Sequence, residues 1–89
     1  MIEKLSPQDK RKAMISAMAK FILYEEGIGG KPRYEFIEIK DLKNEFMFEY
    51  GASKVRTDEY FELCVAHIKY LEFNEDKSKV RLKPKETLT

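Results

Sequence analysis

Cys64 and His67 are the one pair of residues in this sequence whose types and spacing suit nucleophilic catalysis. They lie three positions apart on a predicted helix, close enough to touch, and a cysteine beside a histidine is the beginning of an activated nucleophile. Both fall on the side that the apolar pattern turns inward, and no third residue is evident that would orient the imidazole. A buried cysteine is a common core residue. We therefore predict no catalytic residue and expect that the chain is not an enzyme.

Metal and cofactor sites are not predicted either. One Cys and one His are too few for a structural zinc site, and a single Cys excludes an intramolecular disulfide. The glycine-rich segment 27–31 differs from a phosphate-binding P-loop, which needs Ser or Thr after its Lys and lies between a strand and a helix. Here Pro32 follows Lys31, so we interpret the segment as a helix stop and connector. Lys31 and Arg33 are still expected to be able to reach a phosphate.

A run of alternating basic residues near the carboxyl end is the most regular pattern in the sequence. Because side chains alternate along a strand, a strand here would be basic on one face. One interpretation is that a polyanion binds this face and replaces its condensed counterions, and the guanidinium of Arg81 suits phosphate well. The other is that the charges only protect an exposed sheet edge from association. The residues concerned are Lys77, Lys79, Arg81, Lys83 and Lys85.

Three helices and a hairpin are predicted to position these residues. Pro7 after Ser6 is typical of a helix start, and we predict helices over residues 7–26, 41–50 and 58–73. Gly27 and Gly51 would end the first two, and Thr57 would cap the third. A short strand is predicted over residues 34–39. If the end of the third helix is extended instead, residues 71–73 and 80–82 can pair as a hairpin.

This order of elements resembles the winged helix-turn-helix superfamily. The resemblance is most specific in residues 37–42, which are similar to the strand that leads into the first helix of the helix-turn-helix, and Gly51 and Ser53 fall at its turn. It implies a mainly α fold with a small β-hairpin, three helices followed by a carboxyl-terminal wing around residues 74–78. Residues 53–56 depart from the usual pattern, since they lengthen the turn or add helix. A plain three-helix domain is the alternative.

The resemblance implies duplex DNA as the partner, bound through backbone phosphates by a transcriptional or chromatin-associated regulator. Lys77, Lys79, Arg81 and Lys83 on the wing, with Lys54 and Arg56 at the turn, are the expected phosphate contacts. The predicted outer face of the third helix carries three acids, Asp58, Glu59 and Glu62, against one base. Phosphates repel such a face, so we expect a shallow helix and modest sequence specificity.

The alternative function is a protein-interaction module without nucleic-acid binding. Met47, Phe48, Leu63 and Tyr70 are a possible apolar interface on its surface. The resemblance also implies a homodimer, since many members bind two half-sites.

Length and composition limit the remaining choices. Eighty-nine residues with 43% hydrophobic side chains are enough for one domain, residues 1–89, of which 1–5 and 86–89 are expected to be loose tails. Seventeen basic and 16 acidic residues leave a net charge of +1, so attraction to phosphate must come from local clustering.

No membrane span or signal peptide is predicted, which favours an intracellular protein, cytoplasmic or nucleoid-associated. Few amides beside many charged residues resemble the composition of thermophile proteins.

Overall fold

The computed structural model describes residues 7–25 and 30–83. This part of the chain is mainly helical and carries one small antiparallel sheet, which confirms a mainly α class with a small hairpin. In chain order the elements are α1 (Pro7–Leu23), β1 (Ile37–Glu38), α2 (Ile39–Tyr50), α3 (Lys54–His67), β2 (Leu71–Phe73) and β3 (Lys79–Leu82).

The first helix begins at Pro7, as predicted, and ends three residues before the predicted position. It turns Met18 and Ile22 completely inward, which the spacing of three to four residues requires. Beyond Leu23 the chain turns back on itself, so that the Arg33 amide donates to the Leu23 carbonyl at 2.8 Å. Tertiary contacts with this returning segment therefore fix the end of the helix. Gly27, the predicted stop, lies outside the described residues.

Gly51 ends α2 as predicted. Its φ of +64° is the left-handed conformation that glycine adopts without a Cβ penalty, and its amide donates to the Met47 carbonyl at 2.8 Å. The prediction for the start of the third helix is wrong, because Ser53 and not Thr57 is the cap. The Ser53 Oγ accepts from the Arg56 amide at 3.2 Å, whereas Thr57 is fully buried and its hydroxyl donates to the Ser53 carbonyl at 2.7 Å.

The sheet places its strands in the order β1-β3-β2, with both pairings antiparallel. The third helix ends at His67 and not near Phe73, and β2 pairs with β3 as the predicted hairpin. The strand predicted over residues 34–39 is reduced to Ile37–Glu38, which pairs with the far side of β3. This central position leaves β3 no free edge along its paired residues.

The core lies between the three helices and the inner side of the sheet. Phe46 is fully buried and makes an edge contact with Phe21 and a tilted one with Tyr50, at centroid distances of 5.5 and 4.8 Å. Val80 is also fully buried and is the residue of β3 that faces this core. Its neighbours in the chain therefore point away from the core. In the described part of the chain, no helix has the length and apolarity needed to cross a membrane.

Candidate functional site

The antiparallel register places three basic side chains along one face of β3. Val80 points inward, so Lys79 and Arg81 point outward. The Lys83 amide donates to the Tyr70 carbonyl at 2.6 Å, which continues the pairing of Arg81 with Glu72 by one more step. We call the side of the sheet that carries Lys79, Arg81 and Lys83 the outer sheet face.

Lys77 lies in the turn between β2 and β3, outside the strand. It adopts a φ of +60°, and its amide donates to the Asn74 carbonyl at 3.0 Å. Asp76 fixes the turn, since its Oδ1 accepts from the amide and from the hydroxyl of Ser78 at 3.0 and 2.6 Å. The Ser78 hydroxyl holds the pKa of Asp76 below its usual range. Hydrogen bonds to a side chain of the turn itself therefore stabilise its conformation. Lys85 lies outside the described residues.

The four predicted wing cations differ in whether an acid neutralises them. Arg81 is bound on two sides: its Nε donates to Glu72 Oε1 at 2.7 Å, and its guanidinium carbon lies 4.5 Å from the centre of the Phe36 ring. By contrast, Lys77, Lys79 and Lys83 are exposed and form no ion pair with any described residue. These three ammonium groups are the available positive charge of the hairpin.

Lys54 and Arg56 lie in the first turn of α3 and not in a loop before it, which corrects their predicted position. Both have acidic neighbours on the same helix: Lys54 Nζ is 3.5 Å from Asp58 Oδ2, and Arg56 Nη1 is 3.6 Å from Glu59 Oε1. Both remain largely exposed, so the pairs are weak. Asp58 and Glu59 nevertheless reduce the positive charge that Lys54 and Arg56 offer to an anion.

The same two acids also bind bases from other helices. Lys43 Nζ of α2 is 3.0 Å from Asp58 Oδ1, and this hydrogen bond holds the pKa of Asp58 below its usual range. Arg11 Nη1 of α1 is 3.3 Å from Glu59 Oε1. Two of the three acids predicted to repel phosphate are therefore neutralised within the molecule, while Glu62 is exposed. The expected acidic face of α3 is correspondingly weaker.

Arg33 is not available to a phosphate, which corrects that expectation. It is 6% exposed, and its guanidinium donates to the carbonyls of Phe21, Ile22 and Tyr24 at 2.8, 3.3 and 2.7 Å. Burial lowers its pKa, partly opposed by the charges of Glu25 and Glu45. Arg33 therefore caps the carboxyl end of α1. In the sequence, this role is hinted at by an arginine that follows a predicted helix and a glycine-rich segment. Lys31, in contrast, is exposed.

Cys64 and His67 are not arranged as a nucleophile and base. Cys64 is 3% exposed, its thiol donates to the Ile15 carbonyl at 3.3 Å, and burial raises its pKa to about 11. His67 is exposed, contrary to the inward position predicted, and its Nδ1 lies 2.8 Å from the Leu63 carbonyl oxygen. The thiol is therefore protonated at neutral pH. Within residues 7–25 and 30–83, no group of three or more His, Cys, Asp or Glu side chains is placed to hold a metal ion.

The residues of the possible apolar interface lie on different surfaces. Met47 lines a depression between α2 and α3, and Leu63 lines an apolar pocket of about 280 Å³ between α1 and α3. Phe48 is 91% exposed on α2, and Tyr70 is 68% exposed beside the sheet. Neither Phe48 nor Tyr70 lines either of these two depressions. Phe48 and Tyr70 are the large exposed groups among the four.

A groove of about 670 Å³ separates α2 and α3 from the hairpin turn, and no local pattern in the sequence indicates it. Phe61 and Phe73 contribute apolar surface, and the Lys43 ammonium lies 4.8 Å from the centre of the Phe61 ring. Lys40 and Lys77 also line the groove. Lys40 and Lys43 are thus basic residues near the hairpin that sequence reasoning missed. Their proximity depends on the packing of the β1–α2 junction, where the Ile39 amide donates to the Ser78 carbonyl at 2.9 Å.

Comparisons of the chain with models of known protein families, with curated proteins and with solved structures give no match.

Proposed function

We propose that this chain is a winged helix-turn-helix domain that binds duplex DNA through backbone phosphates, as a transcriptional or chromatin-associated regulator in the cytoplasm or on the nucleoid, and not as an enzyme. The order α1-β1-α2-α3-β2-β3 and the sheet order β1-β3-β2 are compatible with that architecture. In this assignment α2 and α3 form the helix-turn-helix, and the β2–β3 hairpin is the wing.

The observation that carries the proposal is the set of three lysines on the hairpin without an acidic partner, Lys77, Lys79 and Lys83. Like charges on one hairpin repel each other, and a phosphate backbone that binds them relieves this repulsion and releases counterions. Edge protection explains Lys79 less well, because β1 pairs with it on one side of the central strand and β2 lies on the other. Lys77 and Lys83 lie outside the strand, where they cover no edge of β3.

Arg81, Lys54 and Arg56 are secondary contacts in this proposal. Each is paired with an acid, so a phosphate must compete with that acid for the same donor. Recognition of base edges by α3 is also limited. The exposed carboxylate of Glu62 lies on this helix, and phosphates repel it. We therefore expect strong salt dependence and modest sequence preference. No cofactor or metal takes part in the proposed binding.

The test is fluorescence anisotropy of a labelled DNA duplex over a series of salt concentrations. Replacing Lys77, Lys79 and Lys83 with Gln removes three phosphate contacts, so the slope of log affinity against log salt should become shallower by about 2.7. The matched control replaces Lys10, Lys12 and Lys20 of α1 with Gln, which changes the net charge equally away from the hairpin. Equal weakening by both triple variants, or absence of binding at low salt, would contradict the proposal.

The second candidate is a protein-interaction module, which the 91% exposure of Phe48 favours, since aromatic side chains are enriched among the residues that carry binding energy at protein interfaces. One form of such a module is a homodimer with Phe48 at its interface. Light scattering after size exclusion would show a dimer for the natural sequence and a monomer for Phe48→Ser. Absence of duplex binding together with such a dimer would favour this candidate.

A further inference from the structure

Tyr70 is an exposed aromatic ring placed directly opposite a lysine on the outer sheet face. The Lys83 amide donates to the Tyr70 carbonyl at 2.6 Å, and the Asn74 amide donates to the Lys79 carbonyl at 3.2 Å. These bonds place Tyr70, Glu72 and Asn74 on the same face as the basic residues of β3. Tyr70 is 68% exposed and makes no ring contact with another described aromatic residue. Its ring is therefore open to a flat ligand.

A second flat surface lies on the other side of β3. The Arg81 guanidinium covers the Phe36 ring, with 4.5 Å between its central carbon and the ring centre. Glu72 holds the same guanidinium through Nε at 2.7 Å. An arginine held against a ring in this way is preorganised to stack on a nucleobase. Phe36 and Tyr70 thus flank the central strand, which carries Lys79 and is followed directly by Lys83.

We propose that the outer sheet face binds a single strand of nucleic acid, with unpaired bases stacked on Tyr70 and on the Arg81–Phe36 pair and with phosphates at Lys79 and Lys83. Exposed aromatic rings beside a line of basic residues are the combination by which single strands are bound without sequence preference. The inference rests on the phosphate affinity of the hairpin proposed above and adds the unpaired base as the second recognised group.

The aromatic groups are what separates this occupant from duplex DNA. A duplex keeps its bases stacked inside and offers this face only phosphates, so Tyr70 and Phe36 contribute little to duplex binding. An acidic protein segment could match the lysines, but it provides no row of flat rings for Tyr70 and the Arg81 plane. The outer sheet face also carries Glu38 and Glu72, opposite Lys79 and Arg81, but Lys79 and Lys83 form no ion pair with any described residue. These two lysines and the two flat surfaces together favour the single strand.

The test uses a labelled oligodeoxythymidine of about 12 nucleotides, within the usual range of site sizes, and a labelled duplex of the same length. Tyr70→Leu should weaken binding of the single strand by roughly 5- to 150-fold, the effect of losing one stacked base, and leave duplex binding within about twofold. Tyr70→Phe keeps the ring and should retain the affinity for the single strand. Replacing Lys79 and Lys83 with Gln should weaken binding of both probes.

An oligonucleotide of the same length with abasic sites gives the decisive control, because it keeps the phosphates and lacks the bases. Binding of the abasic strand as tight as that of oligodeoxythymidine would overturn the inference, as would an equal effect of Tyr70→Leu on both probes. Duplex binding without single-strand binding would overturn this inference and leave the proposed function intact. Failure of both probes to bind would overturn both.

Discussion

Burial controls the chemistry of Cys64. Its thiol lies between α3 and α1, donates to the Ile15 carbonyl and is 3% exposed. The low polarity of this position disfavours the thiolate and raises the pKa from 9.0 to about 11. Because the thiolate is the reactive form of cysteine, the residue that most resembles a nucleophile in the sequence is chemically inert in the fold.

This shift predicts a loss of stability in alkaline solution. The unfolded chain releases the Cys64 proton near pH 9, and the folded chain releases it only near pH 11, so the stabilisation is complete below pH 9 and is lost as the pH rises to 11. Raising the pKa from 9.0 to about 11 corresponds to about 3 kcal/mol of stability. Urea denaturation of the natural sequence and of Cys64→Ala from pH 8 to 11 should show the variant less stable at pH 8 and the difference shrinking above pH 9. A constant difference would contradict this.

Arg33 acts at the scale of the element, because it completes the carboxyl end of α1. The last carbonyls of a helix have no partner within it, and three carbonyls at this end accept from the Arg33 guanidinium. The Arg33 carbonyl in turn accepts from the Leu82 amide at 2.7 Å. One residue therefore joins the end of α1 to the central strand of the sheet.

Arg33→Met should destabilise the protein by about 2 to 4 kcal/mol, because one buried and two partly buried carbonyls lose a charged donor. Thermal and urea unfolding measure this loss, and hydrogen exchange should quicken in the last turn of α1. The matched control is Arg56→Met, whose side chain is 61% exposed and makes only a weak pair, with an expected change below about 0.5 kcal/mol. Equal destabilisation by the two substitutions would show that Arg33 is not the cap.

Features that follow from a single residue type or a short local pattern were predicted correctly from the sequence. Features that depend on how distant segments pack were not. Gly51 ends α2 in a conformation that its own type favours, so sequence alone located it. Ser53 and Thr57 are both good capping residues four positions apart, and only the burial of Thr57 decides between them. The pairing of β1 with β3 joins residues about 40 positions apart, which no local pattern reveals.

In the candidate site, too, local sequence patterns predict some features, and packing determines the others. Alternation along β3 placed Lys79 and Arg81 on one face from sequence alone. The contact of Arg81 with Glu72 and Phe36 depends on the register of three strands, so it could not be predicted. The pairing of Lys54 with Asp58 follows from a spacing of four on one helix, but only once the helix is known to begin at Lys54 and not after Thr57.

At the scale of the whole molecule, attraction to a polyanion depends more on where the charged residues lie than on the net charge. A net charge of +1 gives no general attraction to a polyanion. Asp58 and Glu59 lie at the meeting point of the three helices, where they bind bases from α1, α2 and α3. These two acids therefore reduce the positive charge that a second group of cations offers to a phosphate.

Removing these two charges should strengthen DNA binding. Asp58→Asn with Glu59→Gln frees four bases, Arg11, Lys43, Lys54 and Arg56, from their acidic partners, so duplex affinity at low salt should rise by about tenfold and the salt slope should steepen by about 1 to 2. The fold should lose about 1 to 3 kcal/mol, since four partly exposed pairs are removed and Glu59 Oε1 itself is buried, and a melting curve verifies that it persists. Glu45→Gln with Glu49→Gln on α2 changes the net charge equally at exposed positions. If this control raises the affinity as much, net charge alone governs binding and the cluster around α3 has no part in it.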